Sequence, residues 1–319
     1  MIELSSLRGA VGRGIGVVCK PYHPDFLSQL TELANRQIKN VPPYWQFTPE
    51  QAAEILFMDT PVAASHFEDF LPSDNRVETL CVSADGLLLA AAQLLTPTRP
   101  RLPGPAAIAP YGQISWIVAR PDAALETIAL LVDALAGVAR AAGCEKMGFA
   151  RCGLGAGWPG VCEDWHAVVA ALRARELRQT ARCLILNGST EVPDFGSIDR
   201  LGPFGVMRMP DESCGEWRIR AYAKDFPAGE CEAWAIPERF ASLPGTAAWV
   251  TVEWLAVDPR FRQRGLGRWI FSELLRWQHE LFRDRAICWV SDDNRAMLTL
   301  ARSLKFESGP AALEFELEL

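Results

Sequence analysis

The chain has 319 residues, 49% of them hydrophobic, enough for two cores of ordinary size. A formal charge of −7 argues against a nucleic-acid surface, and no apolar run reaches membrane-spanning length. The nine scattered cysteines never fall as Cys-x-x-Cys, and the four histidines (His23, His66, His166, His279) show no ligand spacing, so reduced thiols and no metal are expected. The opening Met1-Ile-Glu-Leu-Ser-Ser-Leu-Arg8 lacks the basic-then-apolar order of a leader, and the expected location is the cytoplasm.

In chain order, Gly14 to Pro21 is β-branched and suits an opening strand. Asp25 to Ile38 carries Phe26, Leu27, Leu30, Leu33 and Ala34 at helical spacing. Thr48-Pro-Glu-Gln51 has the form of a capping box, predicting a helix from Pro49 to about Met58. Arg76–Ser83 and Gly86–Leu95 read as a hairpin turning at Asp85-Gly86. A Pro-rich connection (Pro97 to Pro110) leads to a strand at Gly112–Ala119, then a helix at Ala124–Ala142 that stops at Gly143. Lys146–Ala150 is the next strand, Cys162–Leu177 a helix and Thr180–Leu186 a strand.

Beyond a linker-like stretch from Glu191 to Pro210, Glu216–Ala223 and Glu230–Ile236 form a hairpin around Phe226-Pro-Ala-Gly229. Trp249–Val257 is a strand in which Val250, Val252, Trp254 and Ala256 alternate with Thr251, Glu253, Leu255 and Val257. A helix follows from Gly265 to about Asp284, apolar on most of its faces. Arg285–Val290 is a short strand, Asn294 to Phe306 a helical stretch, and Leu313–Leu319 alternates strictly as a half-exposed strand should.

The turn between the Trp249 strand and its helix carries the chemistry. Unpaired backbone N–H groups converge at a helix N-terminus, where the aligned peptide dipoles amount to about half a positive charge. Gly265 and Gly267 remove side chains that would hold a pyrophosphate off the backbone, and Arg262, Arg264 and Arg268 add mobile positive charge. Those residues, Arg262-Gln263-Arg264-Gly265-Leu266-Gly267, resemble the acyl-CoA loop Gln/Arg-x-x-Gly-x-Gly/Ala of the GNAT superfamily of acyltransferases. Leu255-Ala256-Val257-Asp-Pro259 is similar to that superfamily's fourth strand and its exit. Asn294, Leu300 and Phe306 sit in register with its Asn-x-x-Ala-x-x-Leu-Tyr-x-x-x-Gly-Phe pattern, whereas Ala301 replaces the tyrosine and Lys305 the glycine. The resemblance implies an α/β (α+β) fold with acetyl-CoA as co-substrate, its pantetheine arm on the backbone of Leu255, Ala256 and Val257.

Residues 1–190 follow the order of elements of a complete domain of that type. At the corresponding turn, however, Arg120-Pro-Asp-Ala-Ala124 has neither the glycine pair nor the arginine cluster. Two mixed sheets flanked by helices are therefore expected, with residues 1–190 a degenerate copy and 191–319 the CoA-binding copy. The architecture resembles tandem GNAT proteins such as the mycothiol synthases. The two opening helices of the second copy are expected to be missing, or reduced to something inside Asp194 to Leu201, which places the expected acceptor pocket at the junction.

Transfer to an amine needs a group that takes its proton, and Glu253, two residues before Leu255, is the candidate base. Glu230 and Glu232 are its rivals. In many relatives the missing tyrosine protonates the departing thiolate, so Ala301 leaves the general acid unassigned. A cysteine acyl-enzyme through Cys288 lacks an activating histidine. Two functions follow: an N-acyltransferase (most directly an N-acetyltransferase) acting on a small-molecule amine, or a non-catalytic acyl-CoA-binding or regulatory module. Gly155-Ala-Gly-Trp-Pro-Gly160 fits a dinucleotide fingerprint, but Pro159 interrupts it and the next strand ends at Asn187 instead of an acid.

Overall fold

The computed structural model describes residues 17–57, 75–97, 110–149, 154, 160–213, 215–236, 240 and 242–319. Residues 14–16 of the expected opening strand and 155–159 of the glycine motif lie outside them. The chain divides into two compact units. Unit 1 contains residues 1–41, 46–182 and 311–319, and unit 2 contains residues 42–45 and 183–310. That division departs from a simple cut at 190/191. Residues 183–189 pair with a strand of unit 2, and residues 316–318 pair with a strand of unit 1.

In unit 1 the elements are β1 (Val18–Pro21), α1 (Leu27–Ile38), α2 (Pro49–Leu56), β2 (Asn75–Ala84), β3 (Leu87–Pro97), β4 (Tyr111–Ala119), α3 (Leu125–Ala141), β5 (Lys146–Gly148), β6 (Val161–Cys162) and α4 (His166–Ala174). α2 starts on the expected capping box, with Gln51 N–H donating to Thr48 Oγ1 at 3.3 Å and Thr48 N–H to Gln51 Oε1 at 2.9 Å. Asp85 and Gly86 both have positive φ, which matches the hairpin turn to the twist of β2 and β3. Strands β1 to β5 lie side by side in chain order, and β4 and β5 are parallel. The end of β13 (Glu307–Glu318) then pairs antiparallel with β5. Gly148 permits that approach, because a Cβ there would fall 2.2 Å from the carbonyl oxygen of Phe315. The predicted helix at 162–177 is shorter than expected, since Val161 and Cys162 are drawn into pairing with β13.

In unit 2 the strand β7 (Arg178–Ser189), from Cys183 onward, pairs with β12 (Arg285–Ser291). The order continues through β11 (Trp249–Val257), β10 (Phe226–Ala235), β9 (Glu216–Ala223) and β8 (Phe204–Asp211). The helices α5 (Leu266–Glu280) and α6 (Arg295–Ser303) follow β11 and β12. The core of this unit places Ile270, Phe271 and Leu274 of α5 with Ile219, Cys231, Ala233 and Val250 of the sheet, all at 0% exposure. Each large aliphatic or aromatic side chain buried this way contributes about 1.5–3 kcal/mol.

Two expectations change here. β8 lies within the stretch read as a linker; as an exposed edge strand it has no alternation for a sequence to display. It passes straight into β9 with no intervening helix among the described residues, whereas α1 and α2 separate β1 from β2. The all-round apolar character of the α5 region also needs correction. The helix ends at Glu280, and Phe282, at φ +61 and 87% exposure, lies beyond it.

Candidate functional site

β11 is held differently along its two halves. Trp249, Val250 and Thr251 pair in parallel with Arg285, Ala286 and Ile287 of β12, and beyond that point the two strands share no further rungs. On its other edge β11 stays on β10 to its end, with Val257 opposite Gly229. Asp258 N–H donates to Ala228 O at 2.9 Å, toward the β10 side. Backbone groups alternate in direction along an extended strand, so the N–H and C=O of Val257 and Leu255 point to the side β12 has left. This split presents a free strand edge to a linear amide.

A β-bulge opens the free half. Trp254 lies opposite Glu232 and Val252 opposite Ala233, so Glu253 is the extra residue with no Cα partner on β10. The strict alternation expected for this strand therefore breaks. Val250 and Val252 are buried, but Trp254 is 55% exposed, while Leu255 and Val257 turn to the core beneath α5. One inserted residue exchanges the faces of everything after it.

The exit from β11 builds the loop. Asp258 Oδ1 accepts from Arg260 N–H and Arg260 Nε, both at 2.9 Å, and these bonds hold its carboxyl below the usual carboxylate range. Arg260 is thereby paired, and it also lies 4.0 Å over the Phe226 ring. Arg262 Nε donates to Val257 O at 2.8 Å, which ties the loop to the strand edge and leaves the end of its guanidinium outward. Gln263 and Gly265 have φ of +61° and +87°. Left-handed residues on either side of Arg264 gather successive N–H groups into one concavity. Gly265 is the N-cap of α5 and no side chain caps that helix. A Cβ on Gly267 would come 3.3 Å from Val257 Cγ2, so glycine lets the first turn sit close to the strand. Arg262, Arg264 and Arg268 are exposed around this concavity, Arg268 lying 4.2 Å over the Phe195 ring. Leu266, by contrast, is 1% exposed and anchors the helix in the core.

The remaining residues singled out by sequence fall as follows. Asn294 is the N-cap of α6, its Oδ1 accepting Met297 N–H at 3.1 Å. Ala301 is wholly buried in the unit 2 core, and its carbonyl accepts Phe306 N–H at 3.0 Å. Cys288 is 2% exposed, and burial pushes its thiol up to about 12, a core residue and no nucleophile. Glu230 is held by Arg220 at 2.6 Å, and Glu232 by Arg218 at 2.8 Å and Trp234 Nε1 at 2.7 Å. Glu253 is half-buried at the bulge, two residues beyond the last rung shared with β12.

Unit 1 repeats the same strand design. Tyr111, Gly112 and Gln113 of β4 pair in parallel with Lys146, Met147 and Gly148, again three rungs. A bulge leaves Ser115 unpartnered at the position of Glu253, since Gln93 faces Trp116 and Leu94 faces Ile114. Arg120 N–H donates to Leu89 O at 2.8 Å, as Asp258 does to Ala228. The free edge, however, is filled from α1. Gln37 Oε1 accepts Ala119 N–H at 2.6 Å, and Gln37 Nε2 donates to Ile117 O at 3.1 Å. Trp165 Nε1 fixes the Gln37 carbonyl at 2.9 Å. Between β4 and α3 there is no glycine; Arg120 is paired with Asp122 at 3.0 Å and α3 starts at Leu125. Neither bulge nor the Gln37 contact has a signature in one sequence: the first is a shift of register, the second a contact between residues 80 or more apart.

Among the described residues there is no cluster of His, Cys, Asp and Glu fit for a metal ion, and no helix is long and apolar enough to cross a membrane. No sequence profile of a known family matches the chain, and no curated protein matches it in sequence. Solved structures do match its fold. A tandem GNAT protein from the clavulanic acid biosynthesis pathway is 13% identical over 95% of this chain and 98% of that one, with a TM-score of 0.58. A GCN5-related glucosamine N-acetyltransferase region of a fungal multi-domain GH3 β-N-acetylglucosaminidase gives 11% identity and a TM-score of 0.62, over 95% of this chain and 38% of that one. A GCN5-related N-acetyltransferase from Sphaerobacter thermophilus gives 11% and 0.58, over 95% of each chain. Identities this low show a shared fold.

Proposed function

We propose, from the premise that this chain has the mixed α/β fold of the GNAT superfamily, that it is an acyl-CoA-dependent N-acyltransferase acting on a small-molecule amine in the cytoplasm. The observation that carries the reading is the free edge of β11 running into the concavity at Gln263–Gly265 and the uncapped start of α5. The residues fit acetyl-CoA in the order in which its parts occur. Leu255 and Val257 offer backbone to the amides of its arm, and Ala256, between them, keeps the strand on β10. Gln263, Gly265, Leu266 and Gly267 offer backbone N–H groups, and Arg262, Arg264 and Arg268 charge, to its pyrophosphate. Asn294, whose side chain caps α6, is assigned to the same cleft by its family position. Acetyl-CoA supplies the activated acyl group.

The protein's own contribution is position and proton transfer. Holding two reactants in register removes roughly 7–11 kcal/mol of barrier when the geometry is good. Glu253, displaced from the ladder by its bulge, takes the ammonium proton, directly or through one water, an effect of about 10²–10⁴-fold. The common register of β4 and β11 supports reading unit 1 as a copy of unit 2 that has lost the loop.

A second reading, an acyl-CoA-binding module without turnover, draws on Ala301, which is buried where relatives carry a phenol. One experiment separates them: acetyl-CoA is titrated calorimetrically, then CoA release is followed with a panel of small amines. Binding with turnover on an amine supports the transferase, and saturable binding without turnover on any amine supports the module. Failure to bind acetyl-CoA overturns both.

A further inference from the structure

The filled strand edge in unit 1 does not fill its whole cleft. Beside the end of β4, between the C-terminal end of α1 and the start of α4, there is a cavity of about 400 Å³, within the range of small-molecule sites. Three cationic side chains, Arg36, Lys39 and Arg120, line it together with His166, and Asp164 is the one carboxylate in the lining. Arg36 and Arg120 are each bonded to one carboxylate, Glu32 and Asp122, and a guanidinium has five N–H donors, so neither is exhausted by its pair. Lys39 is exposed at the end of α1 and brings a third charge. Val41, Pro121 and Val168 form apolar wall, and Trp165 adds an aromatic one.

The geometry points to a binding site for a small organic anion in this cavity, a carboxylate carried on an apolar or aromatic body. Gln37 makes the site what it is. Its amide uses up the backbone groups of Ile117 and Ala119, so a long amide chain has no edge to follow there. Trp165 in turn locks Gln37, so the cavity's rim is fixed by three hydrogen bonds before any ligand arrives. What remains is a short pocket with net positive lining and an apolar wall. Anionic groups meet charge-assisted donors there, and a neutral molecule of the same shape does not. This inference concerns unit 1 alone and stands whether or not unit 2 transfers an acyl group.

The test uses the full chain and two probes of one shape, benzoate and benzamide. Amide and indole NMR resonances are followed during each titration. Benzoate is expected to shift the Trp165 indole and the Lys39 and His166 amides saturably, with benzamide at least about tenfold weaker, as one lost charge-assisted contact implies. Lys39→Glu should weaken benzoate by about tenfold or more through charge reversal, and Ala167→Trp should block it by bulk. Lys39 is exposed and Ala167 half-buried, so neither change reaches the core, and a native-like spectrum of each variant checks the fold. Gly265→Glu, in the other unit, should leave the titration unchanged. Equal response to both probes, no saturation by benzoate, or full binding by the folded Lys39→Glu protein would overturn the proposal.

Discussion

The edges of β4 and β11 begin alike and end in opposite conditions. Each strand makes three parallel rungs, each carries one bulge, and each leaves its parallel neighbour afterwards. On β4 the freed backbone is satisfied by Gln37, and the strand leads to a turn whose arginine is paired with Asp122. On β11 an arginine grips only the last carbonyl, and the strand leads to left-handed residues and an uncapped helix. The same strand geometry thus becomes a closed structural element or an open binding edge, according to one side chain opposite it and two glycines after it.

The largest expected effect comes from cutting the chain where sequence alone would divide it. A fragment of residues 191–319 loses residues 183–189, the strand that covers β12, while it retains residues 311–319, which belong to unit 1. It should fail to fold cooperatively, as read by circular dichroism and dye binding. A soluble, cooperative fragment that binds acetyl-CoA as the full chain does would show that β7 is dispensable. Next is Gly265→Glu, which puts a side chain at φ +87° and a negative charge in the concavity. Calorimetry should find one acetyl-CoA site per full chain and none in this variant, whereas Ala124→Glu at the matching turn of unit 1 should change nothing. Two equal sites in the parent protein would end the contrast between the edges.

The bulged residues offer a smaller and sharper comparison. Glu253→Gln should lower turnover by about 10²–10⁴-fold with acetyl-CoA affinity nearly unchanged, as loss of a general base does. Ser115→Ala, at the matching bulge, should leave turnover as it was. Smallest is Gln37→Ala, which strands the Ile117 carbonyl and the Ala119 N–H and should cost about 1–3 kcal/mol in denaturant unfolding. It should create no second acetyl-CoA site, because the loop of unit 1 still lacks its glycines. A second site appearing there would mean that Gln37 alone closes the edge.

The sequence made the loop legible because its residues are local. Gly265, Gly267 and three arginines lie within seven positions, and each has a physical reason tied to its immediate neighbours. The capping box at Thr48 and the turn at Asp85-Gly86 were legible for the same reason. The face of Trp254 was not, since a bulge is decided by pairing with β10 and periodicity carries through it unaware. Edge strand β8 was missed because an exposed edge needs no apolar face. The membership of residues 183–189 and 311–319 depends on partners roughly a hundred or more positions away, which no local pattern encodes.

That distant pairing has a consequence for how the chain is made. Lys146 meets Glu318, and Gly148 meets Glu316, so the sheet of unit 1 is completed by residues synthesised after all of unit 2. At ribosomal rates of roughly 5–20 residues per second, the β5 edge waits about ten to thirty seconds for its neighbour. During that interval the outer edge of β5, paired on its other side with β4, is exposed to other nascent chains. Contacts of such sequence separation also slow folding in the finished chain. The first half therefore cannot mature ahead of the second, and the protein should be born with a need for chaperones that its final stability does not reveal.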